Sequence, residues 1–205
     1  MTTADTPRAW QRMLSGRRLD LLAPDPADIE LADIAHGLAR VARWNGQTHG
    51  VHAFSVAQHS VLVADIAFAL GGEWDEIWYR AALLHDAPEY VVGDLISPFK
   101  AAIGADYKQI ELRLLAAVHA RFELPRDLPS DIAASIKQAD RIAAYFEATE
   151  LAGFAQDEAR AFFGDHRALP ANVLDRARDI APMPTKRAQA ALIEAFMRGA
   201  PASAA

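Results

Sequence analysis

Apolar residues recur at three- and four-residue spacing along most of this chain, and no convincing stretch alternates apolar and polar residues between hairpin turns. Such spacing buries a face only when the segments are helices, because about 3.6 residues complete a turn. One run is Asp28 to Ala42, where Ile29, Leu31, Ile34, Leu38 and Val41 form the stripe behind Pro26. Others are Ser55 to Leu70, stopped by Gly71-Gly72, and Trp74 to His85, opening among the acids Glu73, Asp75 and Glu76. Tyr107 to Phe122 ends at Leu124-Pro125, and Ser130 to Leu151 starts with Ser130 as cap and stops at Gly153. Lys186 to Met197 is the last. The expected fold is an all-α helical bundle, with Pro- and Gly-marked loops at 24–26, 45–53, 88–98, 125–129, 164–170 and 182–184.

The 205 residues suit one domain over 1–205, with residues 1–25 as an N-terminal extension and 200–205 as a loose tail. Cysteine is absent, which excludes disulfides, zinc–thiolate sites, iron–sulfur clusters and thiol nucleophiles. Any metal must then be held by nitrogen and oxygen. Lys and Arg number 21 against 27 Asp and Glu, a net charge of -6 that argues against binding a nucleic-acid polymer. The N-terminal residues lack an apolar run of signal-peptide length, and the most apolar stretch, Val56 to Leu70, is broken by Gln58, His59, Ser60 and Asp65. The expectation is a cytoplasmic protein without membrane association.

Polar ligand-type residues lie inside apolar helices or at their ends: His59, the adjacent His85-Asp86, Glu89 to Asp94, and Asp140. Such groups cost free energy when buried unless they are paired or bind a metal. Successive helical residues point about 100° apart, so His85 and Asp86 can face one ion only if a helix end lies against it. With His59 and Asp140 from two further helices, two imidazoles and two carboxylates would surround one divalent cation. That donor set suits Mn, Fe, Co, Ni or Zn.

His59, His85-Asp86 and Asp140 in this order resemble the H…HD…D signature of the HD-domain phosphohydrolase superfamily. The run LLHDAPEYVVGDLISPFK, Leu83 to Lys100, is similar to the 5′-deoxynucleotidase branch, as are KQADRIAAYFEA, Lys137 to Ala148, and the pair Arg43-Trp44. The stretch from Ser15 to Thr48 resembles a related subgroup that includes viral dATP phosphohydrolases. The resemblance implies an HD-domain helical bundle in which His59, His85, Asp86 and Asp140 ligate the metal. It implies that Glu89 orients or activates the attacking water. Asp94 protonates the leaving group or orients the substrate. Arg43 holds the phosphate, Trp44 packs on the sugar or base, and Leu95, Ile96 and Ser97 line the nucleotide pocket. Lys100 adds positive potential.

Each residue has a plainer reading: Arg43 and Trp44 as a helix-end pair, Glu89 as a solvated carboxylate, Asp94 as a turn cap. His49 and His52 read as surface-loop residues, with approach to the substrate as the rival reading. His36 and His119 read as structural and His166 as exposed. Glu147 and Glu150 read as a solvated helix face, with approach to the pocket or a subunit interface as the rival. The implied activity is metal-dependent release of phosphate from deoxynucleoside 5′-monophosphates by a homodimer. The rival readings are a dATP or dNTP phosphohydrolase and a non-catalytic nucleotide-binding module. Hydrolysis of cyclic nucleotides or alarmones is a further one, from which the GDLISPFK stretch points away.

Overall fold

The computed structural model describes residues 9–71, 74–96, 99–100, 105–164, 166, 170–178 and 180–201. The described residues form a helical bundle with one small hairpin. The order is β1 (Trp10–Arg12), β2 (Arg18–Asp20), α1 (Leu31–Leu38), α2 (Val56–Gly71), α3 (Glu76–Leu83) and α4 (Glu89–Val92). Then follow α5 (Ala105–Arg121), α6 (Ser130–Glu150), α7 (Gln156–Phe163), α8 (Ala171–Arg178) and α9 (Thr185–Arg198).

The all-helical expectation holds, with one addition. Residues 10–20, read as part of an extension, form an antiparallel hairpin in which Gln11 pairs with Leu19. Its strands are three residues long, too short for alternation to register in the sequence. Tertiary contacts hold it: Leu19 is fully buried, and Ser15 donates from its backbone N and its Oγ to the Asp33 carboxylate of α1. The Trp10 ring lies 4.3 Å from the Arg18 guanidinium.

Helix α1 is shorter than its apolar stripe. Asp25 caps a 3-10 turn at Pro26–Asp28, accepting from the Ala27 N–H, so the α-helix starts only at Leu31. At the other end, the Val56 N–H donates to Val41 and the Arg43 N–H to Phe54. That pairing draws residues 41–43 out of the helix. Ser130 is not the cap of α6, since Pro129 holds that position and no side chain caps it. Two short helices, α7 and α8, flank the expected 164–170 loop in stretches to which the sequence assigns no element.

Helix α2 is the centre. It packs on α6, α3, α9 and α8, and its buried residues, among them Val56, Ala57, Gln58, His59, Ser60, Leu62, Val63, Ala64 and Ile66, cover all but the side carrying Val61, Asp65 and Phe68. Gln58 survives burial because its amide bridges Ala181 O at 2.9 Å and Met183 N at 3.2 Å. Helix α9 buries Ala188, Leu192 and Ala195 and so closes its own bundle. No helix among the described residues is long and apolar enough to cross a membrane.

Gly37 sets the approach of α1 to α4. A Cβ there would lie 2.7 Å from Tyr90 Cβ and 2.8 Å from Tyr90 O. Gly37→Ala is therefore expected to overpack this contact and cost about 1–3 kcal/mol in urea denaturation. An unchanged midpoint would contradict the contact.

Candidate metal centre

Three parts of the bundle deliver the donors. His59 comes from the middle of α2 and is fully buried. Helix α3 ends at Leu83, and residues 84–88 are turns, so His85 and Asp86 sit on a helix end rather than on a helix face. This is the arrangement in which neighbouring residues can face one point. Asp140 comes from α6; its side chain is 41% exposed, against 25% for Asp86 and none for His59, so the site opens on the Asp140 side.

Both imidazoles are held by their Nδ1 atoms. His85 Nδ1 lies 2.8 Å from Ala82 O, and His59 Nδ1 lies 2.5 Å from Glu147 Oε1. A carbonyl and an ionised carboxylate only accept, so each Nδ1 carries the proton. Both Nε2 atoms are buried and make no hydrogen bond. His59 Nε2 is 3.2 Å from Asp140 Oδ1 and 3.5 Å from Asp86 Oδ2, and His85 Nε2 is 3.2 Å from Asp86 Oδ2. Donor atoms of His59, His85 and Asp140 all lie within 4.8 Å of one another. Bare nitrogens and carboxylate oxygens this close repel unless a proton or cation lies between them. Burial and Arg43 both oppose a proton on His59, yet Glu147, Asp140 and Asp86 raise its pKa well above the ordinary value. The residues present thus fit a divalent cation held by nitrogen and oxygen.

Beside this cluster, Arg43 and Trp44 occupy a 3-10 turn, Arg43–Gly46, where Trp44 has φ 57° and Asn45 φ 50°. Left-handed backbone at a bulky residue costs about 1–3 kcal/mol and needs outside support. Support comes from Phe154 and Phe163, whose rings lie 5.6 and 6.0 Å from Trp44, and from Glu147 Oε2, which accepts from Trp44 Nε1 at 2.9 Å. Arg43 donates to Glu147 from Nε at 3.2 Å and to Asp94 from Nη1 at 2.9 Å. Trp44 is therefore packed on this protein's own aromatics, and Asp94 is an ion-pair partner, not a turn cap.

Glu147 corrects the sequence reading. It is fully buried, not on a solvated face, and joins His59, Arg43 and Trp44. Burial pushes its carboxyl up, but Arg43, His59 and Trp44 outweigh that and hold it at about 2. The signal available in the sequence was its spacing: seven residues, nearly two turns, separate it from Asp140 on one helix. Glu150 is exposed as expected.

Glu89 is 2% exposed and so is not a solvated carboxylate. Its Oε1 accepts from Lys100 Nζ at 3.1 Å, and its Oε2 is buried with no hydrogen bond. Lys100 in turn pairs with Glu111 at 3.1 Å. Burial, Asp86 and Asp94 push the Glu89 carboxyl up to about 8 against the pull of Lys100 and Arg43. A cavity of about 110 Å³ is lined by His85, Asp86, Glu89, Lys100, Lys108 and Glu111. A larger one of about 360 Å³, between the hairpin, α1 and Tyr90, is lined by none of the candidate ligands.

The remaining expected residues scatter. Leu95 is half-buried, Ile96 is 46% exposed, and neither lines the ligand-bearing cavity; Ser97 lies outside the described residues. His49 and His52 are exposed in their loop, and His36 is half-buried. His119 is buried, its Nδ1 donating to Pro125 O at 2.7 Å. His166 is not exposed but half-buried, against the Tyr145 ring and Phe163 O.

Comparison with known proteins adds two findings. The family model described as 5′-deoxynucleotidase YfbR-like matches residues 31–167. An uncharacterized protein of Rhodobacter capsulatus is 56% identical over 181 residues, covering 88% of this chain and 91% of that protein.

Two outcomes are expected. Mn²⁺ or Co²⁺ should raise the Tm of chelator-treated wild type, by mass action, and raise that of His85→Ala much less; equal shifts would contradict the cluster. Glu89 keeps its proton up to about pH 8 when folded, whereas the unfolded chain loses it near 4.5, so this group makes stability fall as pH rises through that window. In metal-free protein, Glu89→Gln should therefore gain urea stability relative to wild type between those pH values. Parallel pH profiles would contradict it.

Proposed function

Since the chain belongs to the YfbR-like 5′-deoxynucleotidase family, within the HD-domain phosphohydrolase superfamily, and is on that ground a hydrolase, we propose that it hydrolyses the phosphate monoester of deoxynucleoside 5′-monophosphates. HD-domain phosphohydrolases use divalent metals. The observation that carries the reading is the pair of buried, unpartnered Nε2 atoms of His59 and His85 beside the Asp140 carboxylate.

His59, His85, Asp86 and Asp140 would hold the cation. When bound, it would lower the pKa of a water and offset charge on the phosphate oxygens. Glu89 lines the cavity beside His85 and Asp86, and its ionised form, which Lys100 on Oε1 favours and burial, Asp86 and Asp94 oppose, would take the proton of the attacking water. Oxygen adds to phosphorus, the bond to the 5′ oxygen breaks, and that oxygen leaves with a proton from solvent. Arg43 keeps Nη2 unengaged among the described residues, which leaves that nitrogen to donate to a phosphate oxygen. Asp94, ion-paired with Arg43, is an acceptor and suits a sugar hydroxyl better than delivery of a proton.

The test is phosphate release from ribo- and deoxyribonucleoside mono-, di- and triphosphates, each with Mn²⁺, Co²⁺, Mg²⁺ or chelator. Metal-dependent release from deoxynucleoside monophosphates is expected, with kcat down about 10²–10⁴-fold in Glu89→Gln. Release mainly from dATP would replace this substrate by a triphosphate, and no release under any metal would overturn the catalytic reading.

A further inference from the structure

The Glu147 carboxylate lies between two parts of the site that are far apart in sequence. It stands nearly two turns from Asp140 on α6, so one helix carries both groups to the same region. Its Oε1 is 2.5 Å from His59 Nδ1. Its Oε2 accepts from Trp44 Nε1 at 2.9 Å and from Arg43 Nε at 3.2 Å. All three neighbours are donors, and the carboxylate is fully buried, so water does not compete for it.

From this arrangement we infer that Glu147 is the positioning residue of the cation site. Through Oε1 it keeps His59 in the tautomer with its proton on Nδ1 and the Nε2 lone pair turned toward Asp86 and Asp140, and through Oε2 it holds the Arg43–Trp44 turn in place. The inference rests on reading His59 as a metal ligand. It assigns Glu147 no contact with substrate or reacting atoms.

The chemistry requires a carboxylate, and an amide of the same shape fails. Glutamine has one acceptor oxygen where glutamate has two. If that oxygen stays on His59, the NH₂ group faces the Trp44 and Arg43 donors. If the amide turns over, its NH₂ donates to Nδ1, the imidazole proton moves to Nε2, and the lone pair offered to a cation is lost. Carboxylates that orient a ligating histidine in this way typically contribute 10–100-fold to metal affinity.

The experiment is titration calorimetry of Mn²⁺ and Co²⁺ into chelator-treated wild type, Glu147→Gln and His85→Ala, with circular dichroism to establish folding. The expected result is a folded Glu147→Gln whose affinity is about 10–100-fold weaker. Wild-type affinity in Glu147→Gln together with loss in His85→Ala would overturn the positioning role alone. Wild-type affinity in both variants would overturn the metal-site reading beneath it. Should Glu147→Gln not fold, wild-type protein labelled with ¹⁵N-histidine and loaded with Zn²⁺ reads the tautomer directly. A proton on Nδ1 of His59 is expected, and a proton on its Nε2 would overturn the inference.

Discussion

A negative charge buried without water must be compensated where it sits, and much of the site follows from how this protein compensates Glu147. Removing one partner of a buried ion pair typically costs about 3–5 kcal/mol, because the other is left uncompensated. Glu147 therefore constrains everything that touches it: the α2 imidazole, the Arg43 guanidinium and the Trp44 indole. Arg43 hands the constraint on to Asp94, which follows the Gly93 turn. The Arg43–Trp44 turn, α2 and the segment carrying Asp94 are thereby registered on one carboxylate of α6.

The bundle makes that burial possible. Helix α2 is buried over most of its circumference, which takes His59 out of water. An imidazole buried there needs a partner at each ring nitrogen, and both nitrogens face charged groups. The Nδ1 side is satisfied by the protein. The Nε2 side, shared with His85, is satisfied by nothing among the described residues, although carboxylate oxygens lie close. His119 has the same asymmetry, with Nδ1 on Pro125 O and Nε2 buried without a hydrogen bond, so what marks the ligand site is the Asp86 and Asp140 oxygens gathered at His59 Nε2. Glu89 shows the same asymmetry, with Lys100 on one oxygen and no partner on the other.

Much of this was legible in the sequence, and the parts that were not share a cause. The apolar periodicity marks the long helices α2, α5 and α6 to within a few residues, because a long amphipathic segment averages over local accidents. The ordered His59, His85-Asp86 and Asp140 stand out because such groups rarely sit among Leu, Ile and Ala without a reason. The hairpin, α7 and α8 are short, and their local signal is weak; what holds the hairpin is Leu19 in the core and Ser15 on Asp33. Helix α1 shows the reverse case. Its stripe runs past Leu38, but pairing of residues 41–43 with residues 54–56 outcompetes helix propensity.

By itself the sequence determined the helical class and the absence of thiolate ligands, and it pointed to His59, His85, Asp86 and Asp140 as candidate donors, because residue type and order along the chain are set before it folds. Only the tertiary structure decided which acidic residues are solvated and which are buried. Glu147 and Glu150 lie on the same helix three residues apart, yet one is sealed against His59 and the other faces water. That difference depends on which neighbours pack over each face of α6. Those neighbours come from α2 and the Arg43–Trp44 turn, about a hundred residues away. A carboxylate's local sequence carries no record of them, so its role appears only when the chain has closed around it.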